Sequence, residues 1–205
     1  MPVTVRGAGT GRAGGSVPVK GGVVLSLRGM DRIIAVDEAA RTMTLQPGVL
    51  LQDVKAEAER HGLCYPPDPG EKTATIGGNV STNASGPCAG KYGRTADYVA
   101  DAEIVLADGT VTTLGADEGN RAVVGSEGVL AVVTEVTLRL IEAPGASVML
   151  LLPFAESGAA SRPRQRSLPP ISSRLSWNIW TARWLSSPAR SQATPYSPPR
   201  RTGRR

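Results

Sequence analysis

Glycines are concentrated between residues 7 and 22, directly after Val3–Arg6, a run that predicts a short buried strand. Within this stretch, Gly9 to Gly14 fits the pattern G-x-G-x-x-G of nucleotide-binding loops. The pattern is followed by Pro18 between two β-branched valines, which disfavours a helix. The next run, Val23–Leu27, again predicts a short buried strand. A Rossmann fold needs a helix directly after its glycines, so this strand–loop–strand unit excludes it.

Two interpretations of the glycine loop remain open at this point. Successive backbone N–H groups can form a concavity that binds an anion without a helix, and the Arg6 side chain could add a positive charge. Alternatively, the loop is a surface turn with no ligand. A Walker A loop is excluded, because the Gly90-Lys91 pair is followed by Tyr92 rather than by Ser or Thr.

The charge distribution argues against a nucleic-acid-binding domain. The chain carries a formal charge of +5, but residues 155–205 hold ten arginines, no lysine and a single acid, Glu156. The preceding residues are therefore net acidic and lack the basic face that nucleic-acid binding requires. The last segment is also rich in Pro and Ser, and it cannot bury enough apolar surface to offset an ordering entropy of ~1–2 kcal/mol per residue. The sequence thus predicts a folded domain at 1–152 and a disordered tail at 153–205.

The cysteine content and the apolar runs favour a cytoplasmic protein. Cys64 and Cys88 lie in unlike contexts without the spacing of metal ligands, so neither a disulfide framework nor a metal site is predicted. No apolar run is long enough for a membrane span, and the N-terminus lacks the layout of a signal peptide.

Hydrophobic periodicity predicts one long helix among several strands. The helix spans Val49 to His61, with Gly62 as its stop signal. The predicted strands form one hairpin at Ile33–Asp37 and Thr42–Gln46, a second at Ala102–Ala107 and Val111–Leu114 around a two-residue Asp108-Gly109 turn, one long strand at Ala131–Ile141, and the start of another at Val148–Leu152.

Two further segments are suited to hold a large cofactor. Pro66 to Gly86 combines Gly77-Gly78 with Thr, Asn and Ser side chains, which offer short hydrogen-bond donors and acceptors. Val124 to Val136 begins with glycines around Ser126-Glu127 and leads into the long strand. These polar residues can also cap turns on one another. Two separate glycine and amide clusters in one domain nevertheless favour a bound cofactor over two unrelated loops.

Four motifs occur in order over residues 2–142: RGAGTG, TIGGNVSTNASGP, ADYVADAEIVLADG and GSEGVLAVVTEVTLRL. Together they resemble the FAD-binding domain of the FAD-linked oxidases. This is the PCMH-type domain of the vanillyl-alcohol oxidase superfamily, on its glycolate oxidase and D-lactate dehydrogenase branch. The resemblance implies an α+β fold of two α+β subdomains with FAD between them.

The resemblance also implies the cofactor-binding residues. The pyrophosphate of FAD would be held by Val5, Arg6, Gly7, Ala8, Gly9, Thr10 and Gly11. The second side of the cofactor would contact Asp68, Thr75, Gly77, Gly78 and Asn79, and then Ala84, Ser85 and Gly86. Its far part would contact Glu127, Gly128, Val129 and Val133. His61 lies outside these motifs, so the FAD is expected to be non-covalent.

The implied activity is the oxidation of a small 2-hydroxy acid such as glycolate or D-lactate, with the electrons passing to another acceptor or to a companion subunit. The family's leading strand and helix and its substrate cap have no counterpart in the matching motifs, so the domain is expected to be incomplete and no catalytic residue is assigned. Two alternatives stay open. One is a non-catalytic flavin-binding fragment or subunit that needs another chain for its substrate site. The other is an unrelated domain whose basic tail binds nucleic acid or an acidic membrane.

Overall fold

A computed structural model describes residues 1–115 and 122–145 of the chain. In chain order its elements are β1 Val3–Arg6, β2 Val23–Ser26, β3 Ile33–Asp37, β4 Thr42–Leu45, α1 Leu51–Arg60, β5 Leu63–Cys64, α2 Ile76–Ser81, α3 Ala89–Tyr92, a 3-10 helix Thr95–Asp97, β6 Val99–Val105, β7 Val111–Leu114, β8 Val132–Arg139 and β9 Ile141–Glu142. The α+β class is confirmed. The predicted strand at 148–152, the boundary at 152 and the disordered tail lie outside the described residues.

Five antiparallel strands form the main sheet in the order β3-β4-β8-β6-β7. Both predicted hairpins, β3–β4 and β6–β7, are confirmed. The second hairpin has a longer loop than the predicted two residues, because Gly109 N–H bonds to Leu106 O and Leu106 N–H bonds to Thr110 O. Gly109 has a φ of 87°, which places it in the left-handed region after a tight turn.

The predicted single strand at 131–141 is wrong at its end, where it divides into β8 and β9. The ladder between β4 and β8 stops at the pair Thr42–Arg139, although the next N–H, of Leu140, still bonds to Arg41 O at 2.7 Å. After a buried Leu140, β9 instead pairs with β5. The main sheet therefore ends at Arg139, with β8 as its central strand.

The core is mainly aliphatic, with Tyr65 and Tyr98 as its aromatic members. Helix α1 contributes Leu51, Val54 and Ala58 at helical spacing to one apolar cluster with the buried face of the sheet. Burying each large aliphatic side chain stabilises the fold by about 1.5–3 kcal/mol. The helix begins at Leu51 and ends at Arg60, slightly inside the predicted range Val49 to His61. The predicted stop signal Gly62 follows its C-cap with a φ of 67°, and the Gly62 N–H bonds to Glu59 O.

Strands β1 and β2 form a separate two-stranded parallel sheet. The prediction that they are buried is wrong for both strands. All four residues of β2 are exposed, and in β1 Val3 is 59% exposed while the other three residues are half-buried. Neither strand contributes a side chain to the main apolar cluster of the described residues. Their apolar side chains therefore have no core to pack against. The sheet's part in the fold is to hold the two ends of the glycine loop.

Helix α2 is a short element that periodicity does not predict. Its sequence, IGGNVS, contains two glycines, which disfavour an isolated helix. The segment is fixed by tertiary hydrogen bonds from Ile76 N to Val49 O and from Gly77 N to Pro47 O. Among the described residues, no helix is long and apolar enough to cross a membrane.

Candidate functional site

The three glycine-containing segments singled out in the sequence face one cavity of about 430 Å³, which we call the glycine cleft. Gly9 and Gly78 both line it, so the two glycine clusters share one cleft. The predicted site residues that line it are Val5, Gly7, Ala8, Gly9, Thr10, Gly11, Thr75, Gly77, Gly78, Asn79, Ala84, Ser85, Glu127, Gly128 and Val133.

Four predicted residues lie outside this lining. Arg6 donates from Nη1 to Ser16 O at 3.1 Å, and its guanidinium lies against Gly9. Val129 is 81% exposed. Gly86 packs so tightly on the Asp68 carbonyl that a Cβ at residue 86 would overlap it. These contacts make Arg6, Asp68 and Gly86 braces behind the cleft walls.

The first wall is the loop of residues 7–16. Gly7 lies against the Thr75 side chain, where a Cβ would overlap the hydroxyl, and Ala8 N–H points to Thr75 Oγ1 at 3.4 Å. Thr75 is only 1% exposed, so this close approach joins the two glycine clusters through a buried side chain. A larger residue at position 7 would separate them.

The backbone of this loop offers many free hydrogen-bond donors. Within the described residues, none of the N–H groups of residues 9–16 donates to another protein group, and all of these residues line the cleft. The positive φ angles of Gly9 (74°) and Gly14 (84°) curve the chain. Such runs of unpaired N–H groups form concavities that bind anions.

The second wall is built by α2 and the residue before it. Segment 74–77 is hydrogen bonded to segment 47–51, with Leu51 N bonding to Ala74 O at 2.9 Å. Gly77 then packs on Pro47 so closely that a Cβ would lie 2.6 Å from Pro47 Cβ. The two glycines of α2 therefore let the helix backbone form the cleft surface directly.

Asn79 places a buried, unpartnered hydrogen-bond donor in the cleft wall. Its side chain is 4% exposed and lines the cleft, but its Nδ2 donor has no hydrogen-bond partner among the described residues. Leaving a buried donor without a partner costs about 1–3 kcal/mol. An acceptor on a bound molecule, such as a phosphate oxygen or a ring carbonyl, would satisfy it.

The third wall is the turn before β8. Gly125 N bonds to Val80 O at 3.0 Å, and Glu127 N bonds to Ser81 O at 2.7 Å. Glu127 has a φ of 57°, which is unusual for a residue with a side chain. Its Oε2 lies 3.5 Å from the position of a Cβ at Gly15, so the turn reaches across to the glycine loop.

A clamp of charges fixes the corner between the second wall and α1. The Asp68 carboxylate accepts hydrogen bonds from Lys55 Nζ at 2.6 Å and from Lys72 Nζ. Burial raises the pKa of Asp68, but the two ammonium groups outweigh that effect and hold it below its usual value. The clamp positions the neighbouring Pro69, which lines the cleft.

The cleft also contains residues that the sequence motifs do not predict, including Arg12, Leu27, Pro47, Glu71 and Ala131. Arg12 and the residues up to Ser16 continue the loop pattern, so its glycines could have indicated them. Leu27 and Pro47 line the cleft because of how the chain folds back there, which their neighbouring residues in the sequence do not indicate. No cluster of three or more His, Cys, Asp or Glu side chains suited to a metal ion occurs in the described ranges.

Comparison with known proteins identifies the family. The model of the family described as "FAD binding domain" matches residues 1–115. The chain is 46% identical over 162 residues to D-lactate dehydrogenase of Anaerostipes hadrus, covering 75% of this chain and 34% of the relative. It is 40% identical over 171 residues to glycolate oxidase subunit GlcD of Bacillus subtilis (strain 168), covering 79% and 36%.

A solved structure of alkyldihydroxyacetonephosphate synthase shares the fold, with a TM-score of 0.65 and 26% identity over 70% of this chain and 27% of that one. The chain thus spans about a third of the length of the curated relatives it matches. The implied PCMH-type fold and the FAD cofactor are confirmed. The chain belongs to the FAD-binding domain family of the FAD-linked oxidases.

Proposed function

We propose that this chain supplies the FAD-binding part of an oxidoreductase that oxidises a small 2-hydroxy acid of the glycolate or D-lactate type. The observation that carries the proposal is the convergence of three separate segments on the glycine cleft, with the unpartnered Asn79 amide in its wall. Two relatives, named D-lactate dehydrogenase and glycolate oxidase subunit, support the substrate class.

The cleft residues fit the chemistry of FAD. The free N–H groups of residues 9–16 suit the diphosphate, and the Asn79 amide suits an oxygen acceptor. We assign cofactor binding to the predicted residues that line the cleft, and a bracing role to Arg6, Asp68 and Gly86. Bound FAD supplies a flavin ring that accepts a hydride from the hydroxyl-bearing carbon of the substrate.

Attachment of the cofactor is proposed to be non-covalent. His61 lies at the end of α1, outside the cleft lining, where its Nδ1 contacts Glu38 at 2.6 Å and its Nε2 contacts Glu57 at 3.4 Å. Both ring nitrogens therefore have partners on the protein. We also propose a cytoplasmic location, supported by the free thiols of Cys64 and Cys88.

A second candidate function is a flavin-binding subunit whose substrate site is completed by a companion chain. It is favoured by the composition of the cleft, in which Arg12 is the one cationic side chain in the described lining. An enzyme of this class needs cations to hold a substrate carboxylate, and one arginine beside a diphosphate leaves none for that task.

The experiment is a two-step flavin assay on the full chain. The protein is mixed with excess FAD, passed through a gel-filtration column and measured for visible flavin absorbance. The loaded protein is then given glycolate or D-lactate without oxygen, and bleaching of the flavin is followed. Bleaching supports the oxidoreductase, whereas stable binding without bleaching supports the subunit requiring a companion. Elution without flavin refutes both.

A further inference from the structure

Arg12 is the one cationic side chain in the described lining of the glycine cleft, and it has no partner within the described residues. It lies at the exposed tip of the loop of residues 7–16 and lines the cavity. Its guanidinium makes no hydrogen bond or ion pair with any residue in the described ranges 1–115 and 122–145. Arg6, in the same part of the fold, instead braces the loop through its bond to Ser16 O.

The charge balance of the cleft makes this arginine important for an anionic ligand. The other ionisable side chains in the described lining are two carboxylates, Glu71 and Glu127. Hydrogen bonds from the Thr73 hydroxyl and backbone lower the pKa of Glu71, so its carboxylate is ionised at neutral pH. Without Arg12, a diphosphate would meet two carboxylates and no cation among the described lining side chains, and the nearby Arg6 guanidinium lies behind Gly9, bonded to Ser16 O.

The position of Arg12 matches the free donors of the same loop. Residues 9–16 offer their unpaired N–H groups to the cleft, and Arg12 lies in the middle of that run. Gly9 and Gly14, both with positive φ, flank it and curve the loop around the cavity. A charged guanidinium and neutral amides on one loop can bind the same group of oxygens.

We propose that the Arg12 guanidinium binds the diphosphate of the bound dinucleotide and sets the preference of the cleft for diphosphate-bearing ligands over uncharged flavins. The assignment rests on the proposed function, since it takes FAD as the occupant. It gives the two arginines of the loop region different roles: Arg6 supports the loop and Arg12 binds the ligand. The preference for a diphosphate then depends on one side chain that folding does not require.

The test compares the dissociation constants of FAD, ADP and riboflavin for the wild-type chain, Arg12→Gln, Arg12→Lys and the control Arg28→Gln, at low and high salt. Arg28 is exposed, lies outside the cleft lining and has no described partner, so it matches the loss of charge. Arg12→Gln is expected to weaken FAD and ADP by roughly ten-fold, the lower end for a charged hydrogen bond. Riboflavin is expected to bind all four proteins alike.

Two further readouts separate ligand binding from folding. The affinity of Arg12→Gln for FAD should depend less on salt than that of the wild type, since one phosphate contact is lost, and Arg12→Lys should recover part of the affinity. Melting temperatures without ligand should agree among the four proteins. Unchanged FAD affinity in Arg12→Gln, or an equal loss in Arg28→Gln, overturns the assignment while FAD binding stands. Failure of the wild type to bind FAD overturns the proposed function as well.

Discussion

The packing of α2 on Pro47 gives a prediction in which two neighbouring glycines respond differently to the same substitution. Gly77 and Gly78 occupy successive positions in α2, so an alanine at either position gains the same helix propensity, at most about 1 kcal/mol. At Gly77 the new Cβ would lie 2.6 Å from Pro47 Cβ and 3.1 Å from Pro47 O. At Gly78 the nearest atom is Thr75 Oγ1 at 3.2 Å.

The magnitudes decide the sign at each position. Overpacking a tight contact costs about 1–3 kcal/mol, and the contact at Gly77 includes a backbone carbonyl that α2 itself uses as a hydrogen-bond acceptor. Gly77→Ala should therefore lower the free energy of unfolding by about 1–2 kcal/mol after the propensity gain. The hydroxyl beside Gly78 needs to shift by only a few tenths of an ångström, so Gly78→Ala should stay within ~0.5 kcal/mol of the wild type.

The assay is thermal unfolding of both variants without added FAD, followed by circular dichroism. Gly77→Ala is expected to melt roughly 3–8 °C below the wild type, and Gly78→Ala within ~2 °C of it. A Gly77→Ala protein that melts at or above the temperature of Gly78→Ala would refute the described packing of α2 on Pro47, and with it the position of the second cleft wall.

Three other substitutions test the clamp, the histidine and the unpartnered amide. Asp68→Asn should destabilise the protein by about 1 kcal/mol, discounted for the partial exposure of the pair, and the difference from wild type should vanish as pH falls through the lowered pKa of Asp68 in acid unfolding scans. The hydrogen bond to Glu38 raises the pKa of His61, with the contact to Glu57 adding to it, so the stabilisation is complete below pH ~6.5 and is lost as pH rises through the folded-state value. The difference in melting temperature between the wild type and His61→Gln should therefore be larger at pH 6 than at pH 8. An equal difference at both pH values would contradict the ion pair of His61 with Glu38. Asn79→Leu should keep or raise the melting temperature without ligand but weaken FAD binding, and a variant that binds FAD as tightly as the wild type would exclude the amide as a ligand.

Local patterns in the sequence predict the elements that depend on local chemistry. The Asp108-Gly109 turn predicts the β6–β7 hairpin, and the spacing of Leu51, Val54 and Ala58 predicts α1. The glycine segments predict most of the cleft lining, because segments whose backbones approach each other closely are rich in glycine, and this can be seen in the sequence. These features need no knowledge of which distant residues meet.

Features that depend on tertiary contacts could not be predicted in the same way. Helix α2 forms although its two glycines oppose it, because Pro47 and Val49 accept its first N–H groups. The division into β8 and β9 accompanies the pairing of β9 with β5, which the sequence of β8 does not encode. The apolar segment that begins at Val23 predicts a buried strand, but β2 is exposed because it lies in a small sheet apart from the main core. Each case involves a partner distant in sequence.

Hydrogen exchange with and without FAD tests the central claim most directly, since the claim concerns backbone amides on three separate segments. Mass spectrometry of peptides covering residues 7–16, 75–86 and 125–133 would report on the three cleft walls, and peptides over β7 would serve as the control. FAD is predicted to slow exchange in all three cleft segments and to leave β7 unchanged. Protection that misses residues 7–16, or that is confined to residues outside the cleft, would contradict the account.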